Sequence, residues 1–235
     1  MSDHIVKAYD EDITALKTLL AEMGGAAEEQ LASAIKALSR RDATLADQVI
    51  RNDDRIDELE RQIEEKALLL IAKRQPMARD LREIMVTIRV ASDIERIGDL
   101  AKNTAKRTHA ISEALPRKLS TGLARMGALA LSQLNKVLNA YARNDDIMGM
   151  EVWRSDEEID ALYNSIFREL LTYMMEDPRN ISLCTHLLFG TKNLERIGDH
   201  ATNIAENIYF LVHGTTVSEG RPKKDVTSMM NPNED

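Results

Sequence analysis

The 235-residue chain is poor in the residues that staple or interrupt a fold. Its single cysteine, Cys184, excludes an intramolecular disulfide. Set among apolar neighbours, Cys184 reads as a plain buried thiol. Five prolines leave long stretches without a helix breaker. Aromatic residues make up only 4% of a chain that is 43% hydrophobic, so Ala, Leu, Ile and Met must fill the core. That balance favours helices over sheets. No run of about 20 apolar residues exists, which excludes a membrane-spanning helix. No Lys/Arg run accompanies the net charge of −8, so a nucleic-acid partner is not expected. The polar start Met1-Ser2-Asp3-His4 does not open like a secretory signal, and the expected location is the cytoplasm. Gly-rich phosphate loops, His-Glu-x-x-His and Gly-x-Ser-x-Gly are all missing. The histidines do not stand at Glu-x-x-His spacing, which argues against a ferritin-like di-iron oxidase.

What the chain does contain is a repeat. Asp93-Ile94-Glu95-Arg96-Ile97-Gly98-Asp99-Leu100-Ala101-Lys102-Asn103 is answered by Asn193-Leu194-Glu195-Arg196-Ile197-Gly198-Asp199-His200-Ala201-Thr202-Asn203, an offset of 199 − 99 = 100 residues. Self-similarity on that scale indicates a chain built twice from one unit. Apolar periodicity extends the match. Val49, Ile56, Ile63 and Leu70 recur by sevens, as do Val152, Ile159, Ile166 and Tyr173, at an offset of 152 − 49 = 103.

These seams predict six helices, near 10–40, 42–74, 78–112, 118–143, 146–176 and 179–212. Helix 1 carries the seam Tyr9, Ile13, Leu16, Leu20, Met23 and Ala27, and Gly24-Gly25 is expected to bend it or thin it for close packing. Helix 3 has two apolar stripes and is therefore expected to be covered on two sides. Short Pro-containing turns make neighbouring helices antiparallel. The expected fold is all-α, with two tandem, similar three-helix bundles: residues 1–115 and 116–212, split at Leu115-Pro116. Residues 213–235 lack periodicity and are expected to be a disordered tail.

The acids in these helices carry the chemistry. Glu95, Asp99 and Asn103 stand at i, i+4 and i+8, as do Glu195, Asp199 and Asn203. Such positions drift only about 40° per step around a helix and form one oxygen-bearing stripe. Asp53 and Asp57 match Asp156 and Asp160, beside the seams of helices 2 and 5. Unpaired carboxylates gathered at low dielectric take up protons unless a cation joins them. All-oxygen ligation suits a hard ion of the Mg, Mn, Fe or Ca class. The competing reading is a solvated face whose acids pair with Arg55, Arg96, Lys102, Arg154 and Arg196. Gly98 and Gly198, one residue before the acid, suggest a close approach there. His200 has Leu100 at its place in the first repeat, so a ligand role is not expected of it, and Trp153 reads as packing.

At these residues, and at the opening Tyr9-Asp10-Glu11-Asp12-Ile13-Thr14-Ala15-Leu16, the sequence resembles the PhoU family of bacterial phosphate-signalling proteins over roughly residues 5–212. The resemblance implies two three-helix bundles side by side. The family's metal motif, an acid, three residues and an Asp, falls on Asp53 and Asp57, Glu95 and Asp99, Asp156 and Asp160, and Glu195 and Asp199. Asn103 and Asn203 match the motif region. The resemblance also implies a negative regulator of phosphate-starvation signalling and phosphate uptake, not an enzyme. Its implied partners are the sensor histidine kinase and the ATPase subunit of the phosphate ABC transporter, with a homodimer as assembly. The implied location is the cytoplasm, at the inner membrane face through those partners. A metal-free helical scaffold and a carboxylate-metal hydrolase are the alternatives. The hydrolase would need an open coordination position and a general base.

Overall fold

A computed structural model describes residues 2–111, 117–218 and 220. The elements are α1 (Ser2–Arg40), α2 (Ala43–Arg74), α3 (Arg79–Arg107), a 3₁₀ turn (Thr108–Ala110), α4 (Arg117–Arg143), α5 (Asp146–Glu176), a second 3₁₀ turn (Pro178–Asn180) and α6 (Ile181–His213). Among the described residues there is no strand. The turns repeat along with the helices. Arg41 and Asn144, both at positive φ, precede the N-caps Asp42 and Asp145. Each cap carboxylate accepts from the backbone N–H three residues on, at 2.9 Å from Leu45 and 3.0 Å from Met148. Both thereby satisfy an amide that has no partner inside the helix.

The helices form the expected pair of three-helix bundles, α1–α2–α3 and α4–α5–α6. The seams fall where the periodicity put them: Val49, Ile56, Ile63 and Leu70, and likewise Val152, Ile159, Ile166, are buried, and Tyr173 packs against them. Each such apolar side chain contributes about 1.5–3 kcal/mol by leaving water. The two stripes of α3 also find their meaning. One faces α1 and α2, and the other lies on α6 of the second bundle. The α3–α6 contact and a smaller α1–α4 contact merge the two cores into one. Tyr141 and Thr87 hydroxyls meet across that junction at 2.7 Å. The Thr87 proton is given to the Glu83 carbonyl, so Tyr141 is the donor.

Some boundaries differ from the sequence expectation. α1 starts at Ser2, eight residues before Asp10, and runs through Gly24-Gly25 without a break. A Cβ on Gly24 would lie 3.0 Å from Leu138 Cδ1, so this glycine thins α1 where α4 crosses it, while Gly25 faces open space. α3 closes at Arg107 into the 3₁₀ turn, earlier than 112, and α6 begins at Ile181 because Pro178 first makes a turn capped by Asp177. The start of the aperiodic tail is not free. His213 is the last residue of α6 and bonds Asp146 at 2.8 Å, Gly214 caps the helix in the left-handed region, and Val217 packs on the core. The Leu115-Pro116 boundary, residue 219 and residues 221–235 lie outside the described residues.

Candidate metal centres

In the first bundle α2 and α3 bring Asp53, Asp57, Glu95 and Asp99 into one electrostatic cluster. Asp53 is the innermost, only 2% exposed. Both its oxygens are used. Gln30 Nε2, from α1, donates to Oδ1 at 2.7 Å and also to the Gly98 carbonyl at 3.0 Å. The Lys102 ammonium bonds Oδ2 and also Asp99 Oδ1 at 2.6 Å. Burial opposes the charge on Lys102, but these hydrogen bonds raise its pKa. Glu95 is held above the usual carboxylate range by burial, against the pull of Arg96, whose Nε lies 3.4 Å away. Burial and then the Asp53 charge raise Asp57. Asn103 is half-buried on the next turn of α3.

In the second bundle the matched acids lie deeper. Asp156, Asp160 and Glu195 are all buried, and Asp199 is half-buried. Burial pushes Glu195 up to about 7, with Lys192 opposing and Asp199 and Asp160 adding to the shift. Lys192 Nζ bonds Glu195 Oε1 at 2.9 Å and lies 4.8 Å from the Tyr163 ring centroid. The other oxygen, Glu195 Oε2, is buried with no hydrogen-bond partner.

Asn203 goes elsewhere. Its amide donates to Asp93 Oδ1 of the first bundle at 3.2 Å, beside His200 Nδ1 at 2.9 Å on the same oxygen. Both residues tie α6 to α3. Trp153 is a packing residue whose indole donates to Glu206 at 2.9 Å. Cys184 is buried and its thiol pushed up by that burial.

Three participants escaped the sequence reading. Glu60, one heptad after Asp53, joins the first cluster, and burial and then Glu95 raise it to about 7. Gln30 of α1 and Gln133 of α4 stand at the offset shared by α2 and α5, 133 − 30 = 103. The lysines match nothing. Lys102 has Thr202 as its counterpart and Lys192 has Ser92, so each bundle carries its ammonium at a different place.

Among the described residues, no three His, Cys, Asp or Glu side chains stand ready as a coordination sphere. The donor chemistry nonetheless fits a hard cation in the second bundle. There a buried carboxylate oxygen, Glu195 Oε2, has no hydrogen-bond partner and lies among further acids. Asp156, Asp160, Glu195 and Asp199 are the residues that would hold such an ion. In the first bundle Asp53, Asp57, Glu95 and Asp99 would do so, with the Lys102 ammonium displaced. Asp99→Asn with Asp199→Asn is expected to lower bound metal by at least half, read by elemental analysis after dialysis against trace ions. Unchanged metal content would place the ions elsewhere.

The fold and clusters define a class: a duplicated all-α protein, two bundles joined along their central helices, each with a carboxylate cluster at the same address. The chain belongs to the PhoU family. The PhoU domain profile matches residues 20–108 and again 123–208, once per bundle. The chain is 55% identical over 228 residues to the phosphate-specific transport system accessory protein PhoU homolog of Rhizobium meliloti, covering 97% of this chain and 96% of that one. It is 51% identical to the Caulobacter vibrioides homolog, covering 97% of this chain and all of the other. The crystal structure of PhoU from Pseudomonas aeruginosa matches with a TM-score of 0.83 at 38% identity, covering 88% of this chain and 100% of that one. PhoU from Streptococcus pneumoniae matches with the same score at 28% identity, covering 90% and 100%.

Proposed function

We propose that this protein is a regulatory accessory of phosphate transport. It acts by contact, restraining phosphate uptake and the phosphate-starvation response when phosphate is plentiful. Its partners are the ATPase subunit of the phosphate transporter and the sensor kinase of the phosphate two-component system, and its hard cations are structural or modulatory. The observation that carries the reading is near end-to-end identity with proteins named as accessories of phosphate-specific transport. Among the described residues no helix is long and apolar enough to cross a membrane, so contact with a transporter would come from the membrane face.

The surface supports docking. Leu68 and Leu69 near the end of α2 and Met77 after it are exposed, as are Leu171 and Met175 near the end of α5 and Ile181 at the start of α6, with Met77 at 80% and Met175 at 85%. Large apolar side chains left in water around both turns are usable contact area. Deleting the gene is expected to leave phosphate-starvation genes on in phosphate-rich medium, read by a reporter. The purified chain is expected to retain the kinase or the ATPase subunit on a column. A deletion strain that still shuts off normally in high phosphate would overturn the regulatory role.

A further inference from the structure

The chain is built twice, yet its two ends differ in charge. α3 and α6 run antiparallel along the bundle junction. Arg82 and Arg89, in the first half of α3, lie on the Phe210 ring near the end of α6, 5.8 and 5.6 Å from its centroid. Arg107, at the end of α3, lies 4.9 Å from the Phe189 centroid in the first part of α6. The α2–α3 and α5–α6 turns therefore sit at opposite ends, separated by the 29 residues of α3, about 40 Å. Residues 66–89, around the first turn, hold six Lys or Arg against two acids, a formal +4 in a chain of −8. The matching residues 169–189 hold one Arg against three acids, or −2. The reversal is position by position: Lys66, Lys73 and Arg74 are answered by Glu169, Glu176 and Asp177 at an offset of 103. Apolar character is kept. Leu68 is answered by Leu171 and Leu81 by Ile181, and all four are exposed.

At the first end both kinds of side chain are left in water. Leu68, Leu69, Met77, Leu81 and Met85 are all exposed. Among the described residues none of Lys66, Lys73, Arg79, Arg82 and Arg89 is paired with a carboxylate, while Arg74 meets Asp12 at 3.1 Å. The acids of this end gather on the α1 side. Asp80, Glu83 and Asp10 lie around Tyr9, whose pKa burial and then these acids push up to about 12, and Glu83 also holds Lys17. The turn itself has an unusual backbone, with Gln75 at φ 47° and Ala78 at φ 51°. Asp177 and Asn180 of the matching turn keep negative φ. Strain of this kind is kept where a conformation is used. Between the two strained residues stands Met77, the most exposed of the five apolar side chains.

Apolar side chains interleaved with Lys and Arg at a helix-hairpin end match an anionic lipid surface. The cations meet headgroup charge, and their long stems let the apolar side chains enter the acyl boundary without a shaped pocket. We propose that the α2–α3 end is a peripheral membrane contact that binds anionic phospholipid directly. The α5–α6 end, with the same apolar positions and the opposite charge, does not, and this fixes which end of the molecule faces the bilayer. The contact goes beyond the regulatory role and does not depend on it.

The full chain is mixed with vesicles of phosphatidylcholine, alone or with about one-third phosphatidylglycerol, and the bound fraction is read by co-sedimentation. A chelator keeps divalent cations from bridging acids to lipid. Binding to the anionic vesicles is expected to exceed that to the neutral ones about tenfold or more, and to fall steeply with salt. Lys73→Glu with Arg79→Glu should weaken it about tenfold or more, and Leu68→Ser with Met77→Ser about fivefold. Leu171→Ser with Met175→Ser, at the other end, should leave it unchanged. All of these side chains are exposed, and circular dichroism confirms that the variants fold. A nitrobenzoxadiazole label on Met77→Cys should brighten on anionic vesicles, and one on Met175→Cys should not; the native Cys184 is buried out of reach. No preference for anionic vesicles, or equal losses from substitutions at the two ends, would overturn the proposal. So would a parent chain that ignores vesicles but loses its hold on the ATPase subunit or the kinase with Lys73→Glu and Arg79→Glu, which would make this end a protein-docking surface. The vesicles carry no protein, so the lipid contact can fail while the regulatory role stands, and the reverse.

Discussion

Gly198→Val is expected to melt about 6–12 °C below the parent chain. Gly198 is buried on α6, and a Cβ there would lie 2.9 Å from Ile159 Cδ1, besides the two oxygens of Gln133 and Asp156. Ile159 is fully buried and has nowhere to retreat. Valine adds two more methyl groups into that space and drives them against an amide and a carboxylate. Overpacking of this kind costs about 1–3 kcal/mol, and the lost polar packing brings the expected total to about 3 kcal/mol. For a chain of this size each kcal/mol moves the melting temperature by about 2–4 °C. Gly25→Ala is the control. Nothing lies within 4 Å of its Cβ position, so only helix propensity acts and stability should rise by about 0.5–1 kcal/mol. Calorimetry on both variants checks the pair. A Gly198→Val chain that melts with the parent would mean that α5 and α6 are not closely packed there.

The metal-free chain is expected to lose stability as pH rises from 4.5 to 7, and Glu195→Gln is expected to remove about half of that slope, Glu60, also held at about 7, supplying a comparable share. The folded state holds Glu195 at about 7, against an ordinary value of 4.5, chiefly because burial disfavours its charge. Below pH 4.5 both states carry the proton, and Glu195 adds no pH dependence. Between 4.5 and 7 the unfolded chain releases the proton while the folded chain keeps it, so stability falls as pH rises. Above 7 both are ionised and the loss is complete, amounting to about 2–3 kcal/mol, or roughly 5–10 °C in melting temperature. Glutamine keeps the shape and cannot ionise. At pH 8 the variant should melt several degrees above the metal-free parent, and at pH 4 the two should nearly coincide. Added metal should reverse the order at pH 8, because a cation that binds the ionised carboxylates of the folded state stabilises the parent by mass action. Thermal melts from pH 4 to 8, with chelator and with Mn²⁺, read all of this. An equal slope in parent and variant would show that Glu195 is not the group responsible.

The duplicated Glu-Arg-Ile-Gly-Asp segment and the heptad seams were enough for the helices, the antiparallel order and the acid positions. Those features are local, since periodicity alone tells which side of a helix is buried. Contacts between helices are not local in this sense. Nothing along α1 marks Gln30 as an inward donor, and only the meeting of α1 with α2 and α3 makes it the partner of Asp53. Asn203 shares the stripe of Glu195 and Asp199 in sequence, yet α3 captures it through Asp93. Glu60 stood one heptad from Asp53, a spacing that could have flagged it. Tyr163 stands at the matching place in the second repeat, so this acid is not duplicated.

By itself, then, the sequence determined an all-α chain built twice, with carboxylates at matched addresses on its central helices, because helix formation and its buried face depend on residues a few positions apart. Only the tertiary structure decided which donor meets Asp53 and left Glu195 Oε2 buried with no hydrogen-bond partner. Gln30 reaches Asp53 from α1, and Lys102 and Lys192 reach their clusters from unmatched places. Hydrogen-bond direction and charge balance are set by residues distant in sequence that packing brings within 3 Å or so of one another, and no periodicity records them.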